Sequence, residues 1–227
     1  MKTAGTIMIT FSQYITEAKK TDSNSLHAFD MDETLFAHDN NKLRVHVVDP
    51  NGRRVRSLTN QEYNSHQLPA GHRYDYGEFK SSDVFTQSAK PIRKMIAKLK
   101  AIKKNGGKTA IVTARSDLDD QPKFAHHMGK FGIDIEDTHV HRAGNLDMKG
   151  PQAKAAIISD LINTNGHKKV HLYDDHPDNL KEFLKLNKQH PDVEFHAHHV
   201  QHDPETGDVN ITTTSALPKE QKNAKVQ

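Results

Sequence analysis

Apolar positions along the chain follow two alternating rhythms. Short apolar runs, the mark of buried strands, end in polar segments. Between them apolar residues recur at i, i+3, i+4 and i+7, the mark of amphipathic helices. Ser25–Phe29 reads as a first buried strand, and it delivers Asp30 and Asp32 into a loop. Pro91 suits the first turn of a helix, whose apolar stripe is Ile92, Met95, Ile96, Leu99 and Ile102 and which Asn105-Gly106-Gly107 stops. Lys108–Thr113 is a second buried strand, followed by the loop Thr113-Ala114-Arg115-Ser116. A helix around Pro122–Phe131 and a weak strand near Thr138–Arg142 come next. Gly150-Pro151 opens a helix with Ala153, Ile157, Ile158, Leu161 and Ile162 on its apolar side. The strand Val170–Tyr173 then delivers Asp174-Asp175-His176-Pro177-Asp178-Asn179, and a helix continues through Leu180, Phe183 and Leu184. Val193–Val200 is the last clear strand, and Val209–Thr213 is expected to pair back on it.

Residues 37–90 break this rhythm. Val45–Arg56 alternates apolar and polar residues around Asp49-Pro50-Asn51-Gly52, which predicts a β-hairpin. Polar, aromatic-dotted sequence follows to Phe85. This stretch reads as an insertion lying over the carboxyl end of the first strand. Its Arg53, Arg54 and Arg56 are either substrate contacts or a solvated hairpin face. Elsewhere strand–helix alternation argues a parallel sheet. The fold class expected is therefore a three-layer, Rossmann-like α/β sandwich with a mostly parallel sheet and a small β-rich cap after the first strand. The expected organisation is an N-terminal extension (1–24), a core (25–217) with the cap at 37–90, and a polar, disordered tail (218–227). In the extension, Phe11, Tyr14 and Ile15 are spaced as one face of a short helix. No internal repeats are visible.

Composition narrows the picture. A chain of 227 residues can hold one domain with a sizeable core, or a core plus an insertion. Hydrophobic content is 34% and mean hydropathy −0.81, and no apolar run approaches a membrane span. The absence of cysteine excludes disulfides and Cys-based zinc or redox sites, and fits a reducing compartment such as the cytoplasm. Lys and Arg exceed Asp and Glu by 32 − 29 = 3, too few to argue nucleic-acid binding alone. The 17 histidines are unusual. His196, His198, His199 and His202 form the densest group, and His196 and His198 share a strand face, a spacing that permits a metal pair. His126-His127 reads as helix surface.

Three strands thus end in short polar segments: Asp30-Met31-Asp32-Glu33-Thr34, Thr113-Ala114-Arg115, and Asp174-Asp175 with Asp178-Asn179. A parallel sheet brings such segments to one edge, where open α/β sheets bind ligands. Asp30 and Asp32 suit a hard divalent cation, or a division into nucleophile and proton donor. The bland alternative is a solvated acidic turn. A helix between the second and third segments carries Lys149 and Lys154. Carboxylates for a cation, a hydroxyl donor and a lysine together suit a phosphoryl group.

Asp-x-Asp-x-Thr after an apolar strand, then a strand ending in Thr, a helix Lys and a strand ending in Asp-Asp, resembles the haloacid dehalogenase superfamily of phosphohydrolases. The resemblance covers about 26–185, the insertion excepted. It implies that Asp30 attacks phosphorus and becomes an aspartyl-phosphate, while Asp32 protonates the leaving oxygen and then activates water. It further implies that Thr113 binds a phosphoryl oxygen and that Lys154, or else Lys149, holds the same group. Mg²⁺ would be held by Asp30, the Asp32 backbone carbonyl, Asp175 and Asp174, with Asp178 acting through water. Arg115 is a further substrate contact or an ion-pair partner. Phe11 to Ala18 resembles the N-termini of tailed-bacteriophage proteins, with a protease-like site after Glu17. If the chain is phage-encoded, as this resemblance implies, the expected location is the host cytoplasm or a virion. The activity expected is phosphomonoester hydrolysis, on a small molecule or a nucleic-acid end. The rival is a non-catalytic virion protein that binds phosphate.

Overall fold

The structure is a computed structural model and describes residues 7–8 and 24–218. The helix expected around Phe11–Ile15, the site after Glu17 and the tail beyond residue 218 lie outside the described residues. The strands are β1 (Ile7–Met8), β2 (Ser25–Phe29), β3 (Phe36–His38), β4 (Val45–Val48), β5 (Arg54–Leu58) and β6 (Arg73–Asp75), then β7 (Ala89–Pro91), β8 (Lys108–Thr113), β9 (Val140–Arg142), β10 (Lys169–Asp174), β11 (Glu194–His202) and β12 (Val209–Ala216). The helices are α1 (Asn60–Ser65), α2 (Ser82–Ser88), α3 (Arg93–Lys104), α4 (Gln121–Gly129), α5 (Gly150–Asn165) and α6 (Pro177–Leu184).

Six strands form the central sheet in the order β12-β11-β10-β2-β8-β9, and β1 adds a two-residue antiparallel edge beyond β12. The five strands from β11 to β9 are parallel; β12 runs antiparallel to β11. Numbered by their place in the chain, those five lie in the order 5-4-1-2-3. Strand order therefore reverses between β2 and β10. Alternate side chains of each strand serve opposite faces. Phe29, Ile111 and Tyr173 pack with Met95 and Leu99 of α3 and Phe124 and Met128 of α4. Leu26, Ala28, Val112 and Leu172 pack on the other face with Ile158 and Ile162 of α5 and Phe183 of α6. Two cores, one on each side of the sheet, make three layers. Gly166, with φ of 69°, ends α5 in the left-handed conformation and turns the chain toward β10.

The inserted segment leaves and returns through an antiparallel ribbon in which Phe36 pairs with Pro91 and His38 with Ala89. Pro91 therefore ends a strand, and the helix starts at Arg93, because the Ile92 N–H is taken by the Leu35 carbonyl. Beyond the ribbon, β5-β4-β6 form a separate antiparallel sheet. The Asp49–Gly52 turn joins β4 and β5, with Asp49 accepting the N–H groups of Asn51 and Arg53. Thr59 and Glu62 form a reciprocal capping box at the start of α1. His127 is corrected from surface to core. It is 6% exposed and packs edge-on against Phe85 and Phe131. Among the described residues, no helix is long and apolar enough to cross a membrane.

Candidate functional site

The reversal of strand order between β2 and β10 opens a crevice at their carboxyl ends, the place where such sheets hold ligands. Asp30 follows β2, and its N–H donates to the Tyr173 carbonyl at 2.8 Å, so the two strand ends are zipped together. Asp174 ends β10 and Asp175 follows it. Lys154, one turn into α5, reaches between them. Its Nζ lies 2.8 Å from Asp30 Oδ1 and 2.8 Å from Asp174 Oδ2, and the lysine is 2% exposed. The approach to Asp30 Oδ1 is an ion pair without hydrogen-bond alignment, which leaves that buried oxygen with no such partner. Asp174 is held from its other side by the His176 N–H at 2.9 Å and Asn179 Nδ2 at 2.8 Å.

The loop after Asp30 is tight. Glu33 adopts φ of 55°, and the Met31 carbonyl accepts the N–H groups of Leu35 and Phe36. This curl turns Asp32 away from the three-carboxylate group. Arg115 grips it through Nε at 2.9 Å to Oδ2 and Nη2 at 2.7 Å to Oδ1, and His38 Nε2 lies 2.6 Å from Oδ1. Arg115 Nη1 also donates to the Phe79 carbonyl at 2.9 Å, tying the core loop to the inserted segment. Thr113 is fully buried beneath this loop, and its Oγ1 accepts the Arg115 N–H. Gly144 lies against the same loop: a Cβ there would meet the Ala114 carbonyl oxygen at 2.4 Å and Ser116 N at 2.5 Å.

The charge balance is uneven. Four carboxylates (Asp30, Asp32, Asp174 and Asp175) face two permanent cations, Lys154 and Arg115. Burial pushes Asp30 up, and Asp174 and Asp32 add to the shift while Lys154 opposes it. Asp175 is also pushed up, by burial and then by repulsion from Asp30 and Asp174. Burial works against the charge of Lys154, but Asp174 and Asp30 outweigh it and raise its pKa. For Asp32 burial is likewise overcome: Arg115 and His38 hold it far below the usual carboxylate range. One oxygen from each of Asp30, Asp174 and Asp175 lies within 4.8 Å of the others. Such oxygens are suitable ligands for Mg²⁺, which takes one or two protein carboxylates. Asp174 is already engaged by three protein donors, so Asp30 and Asp175 are the better placed of the set.

Asp30, Asp175 and Lys154 floor a cavity of about 610 Å³, beneath which Asp174 is fully buried. Of the residues singled out in the sequence, Asp30, Asp32, Arg115, Lys154, Asp175 and Asp178 line it. Asp178 is exposed and stands outside the three-carboxylate group. Lys149 is exposed at the start of α5 and does not line the cavity, whereas Lys154 is buried at its floor. Arg53, Arg54 and Arg56 do not line it either and pair with Asp49, Asp75 and Glu62. His196 and His198 use both ring nitrogens on protein partners, Glu194 and Ser215 for one and His171 and Thr213 for the other. The cavity also contains residues that sequence reasoning missed: Tyr63, Tyr76 and Phe79 from the insertion, and Gly144, Leu146 and Met148 from the core. No apolar periodicity marks them: Tyr63 lies in the six-residue α1, and the others lie in or beside short irregular or 3-10 segments.

Compared with protein-family models, curated proteins and solved structures, the chain matches none of them.

Proposed function

We propose that the chain is a Mg²⁺-dependent phosphomonoester hydrolase of the haloacid dehalogenase type, with Asp30 as nucleophile. The observation that carries this reading is the buried Asp30 carboxylate, which meets Lys154 and Asp175 on the floor of a cavity at the strand-order reversal. Asp30 attacks phosphorus, the bond to the leaving oxygen breaks, and an aspartyl-phosphate forms. Water then hydrolyses that acyl phosphate and restores the carboxylate. Lys154 lies beside the attacking oxygen and offsets negative charge on the transferring group. Asp30 and Asp175 would hold Mg²⁺, with Asp174 fixing Lys154; the cation supplies positive charge that favours an ionised Asp30 and neutralises phosphoryl oxygens.

Asp32 is the candidate proton donor to the leaving oxygen. A donor needs a proton, yet Arg115 and His38 keep this carboxylate ionised. Proton donation by Asp32 therefore requires that its contacts with Arg115 and His38 loosen in the substrate complex.

Phosphate release from a generic aryl phosphate, with Mg²⁺ and with EDTA, tests the reading. Turnover that needs the metal and is lost in Asp30→Asn is expected. Undiminished turnover in that variant contradicts it.

A further inference from the structure

We propose that the outer half of this cavity binds the nucleoside portion of its substrate, so that the compounds hydrolysed are nucleoside monophosphates or the phosphorylated ends of nucleic-acid strands. The proposal rests on the phosphomonoesterase reading above. Among the described residues, the large hydrophobic side chains left exposed are Val55, Leu68, Tyr76, Leu146, Met148 and Leu217. Three of these six, Tyr76, Leu146 and Met148, line the one cavity. Exposed apolar residues scattered singly need no explanation. Their convergence at a mouth marks a surface that a ligand covers.

The two walls come from different parts of the chain. Tyr76 belongs to the insertion, and Leu146 and Met148 to the core segment just before α5. Tyr76 is braced in place. Its hydroxyl lies 2.9 Å from that of Tyr63, the two rings meet edge to face at 5.9 Å, and Tyr74 packs edge to face on Tyr63 at 4.9 Å. Little further ordering is then needed to offer a ring face to a ligand.

The cavity is also polarised along its depth. Asp30 and Lys154 on the floor are 5% and 2% exposed, whereas Tyr76 and Met148 at the mouth are 40% and 51% exposed. A substrate anchored by its phosphoryl group on the floor therefore brings its far end to Tyr76 and Met148. A flat base stacks on an aromatic ring and packs against a thioether. A sugar alone presents no flat aromatic face to stack and so gains less from this surface. The volume of about 610 Å³ lies within the roughly 300–1,000 Å³ of small-molecule sites.

The test is kcat/KM with Mg²⁺ for nucleoside monophosphates, a phosphorylated oligonucleotide, glycerol phosphate, acetyl phosphate and a phosphotyrosine peptide. The nucleotide or the oligonucleotide is expected to exceed glycerol phosphate by about tenfold or more, and the stronger of the two identifies the source of the base. That ratio should fall by about tenfold in Tyr76→Ala and in Met148→Ser, as loss of one stacking partner implies. It should not change in Val55→Ser, an exposed apolar residue away from the cavity. Equal rates on glycerol phosphate, a ratio unmoved by both variants, or a preference for the phosphopeptide overturns the proposal and leaves the phosphatase reading standing. Failure to hydrolyse any of the compounds, acetyl phosphate included, overturns the phosphatase reading itself.

Discussion

Lys154 is the residue on which the charge balance of the site turns. It is buried between Asp30 and Asp174 at 2.8 Å from each. Removing one partner from a buried ion pair costs about 3–5 kcal/mol, because the remaining charge has lost its compensation. Lys154→Met is therefore expected to lower the urea-unfolding free energy by about that much in EDTA and to abolish phosphate release. A variant as stable as the wild type would show that the lysine is not the counterion described. At this scale position was legible: Asp30, Thr113 and Asp174 each stand at the end of an apolar run, and Lys154 lies on the helix leading to the last of them. Thr113, expected to bind a phosphoryl oxygen, is instead fully buried and does not line the cavity. The grip of Arg115 and His38 on Asp32 was not legible: Arg115 stands 83 positions from Asp32, and His38, six positions away, is brought back by the turn after β2.

Elements place these side chains through a few backbone contacts. The loop after β8 has Gly144 pressed against it, and an added methyl there would sit 2.4 Å from a backbone oxygen that cannot give way as a flexible side chain would. Gly144→Ala is expected to cost about 1–3 kcal/mol and to reduce turnover by displacing Arg115; an unchanged unfolding midpoint and rate would contradict this. A second device crosses the sheet. His27 of β2 stacks on His171 of β10 at 4.3 Å, His171 stacks on His196 and bonds His198 of β11, and Tyr173 stacks on His198. Lys98 of α3 faces this ladder over the Tyr173 ring. Burial, with Lys98 adding to it, lowers His27 from 6.5 to about 3, and burial likewise lowers His171 and His198. The unfolded chain therefore binds more protons than the folded one below pH 6.5. The stabilisation is complete above that value and is lost as pH falls from about 6.5 toward 3, by up to about 1.4 kcal/mol per pH unit for each such histidine. Urea midpoints measured from pH 7.5 to 4.5 should fall, and less steeply in His171→Phe. Parallel slopes for the two proteins would rule the ladder out as their cause. The helices and strands of the core were legible in periodicity. The insertion was only half so: its hairpin was legible and α1 was not, although Thr59 and Glu62 carry a capping-box signal; the burial of His127 depends on Phe36 of β3 and Phe85 of α2, distant in sequence, besides Phe131 four residues on.

At the scale of the molecule, strand order turns separate loops into one site. The 5-4-1-2-3 order puts Asp30 and Asp174 at the ends of neighbouring strands although 144 positions separate them, and Tyr63, Tyr76 and Phe79 of the insertion line the cavity there. Alternation of strands and helices made the layered α/β class legible, but strand order depends on packing across both faces and leaves no mark in a single sequence. The same arrangement makes the central claim specific: phosphate passes through Asp30. The most direct measurement is acid quenching of the protein during turnover of a radiolabelled phosphomonoester with Mg²⁺, followed by treatment with neutral hydroxylamine. The account predicts label that stays on the chain after quenching, is released by hydroxylamine as an acyl phosphate is, maps to the peptide containing Asp30, and is absent from Asp30→Asn. Steady turnover with no trapped label, or label on any other residue, would contradict it.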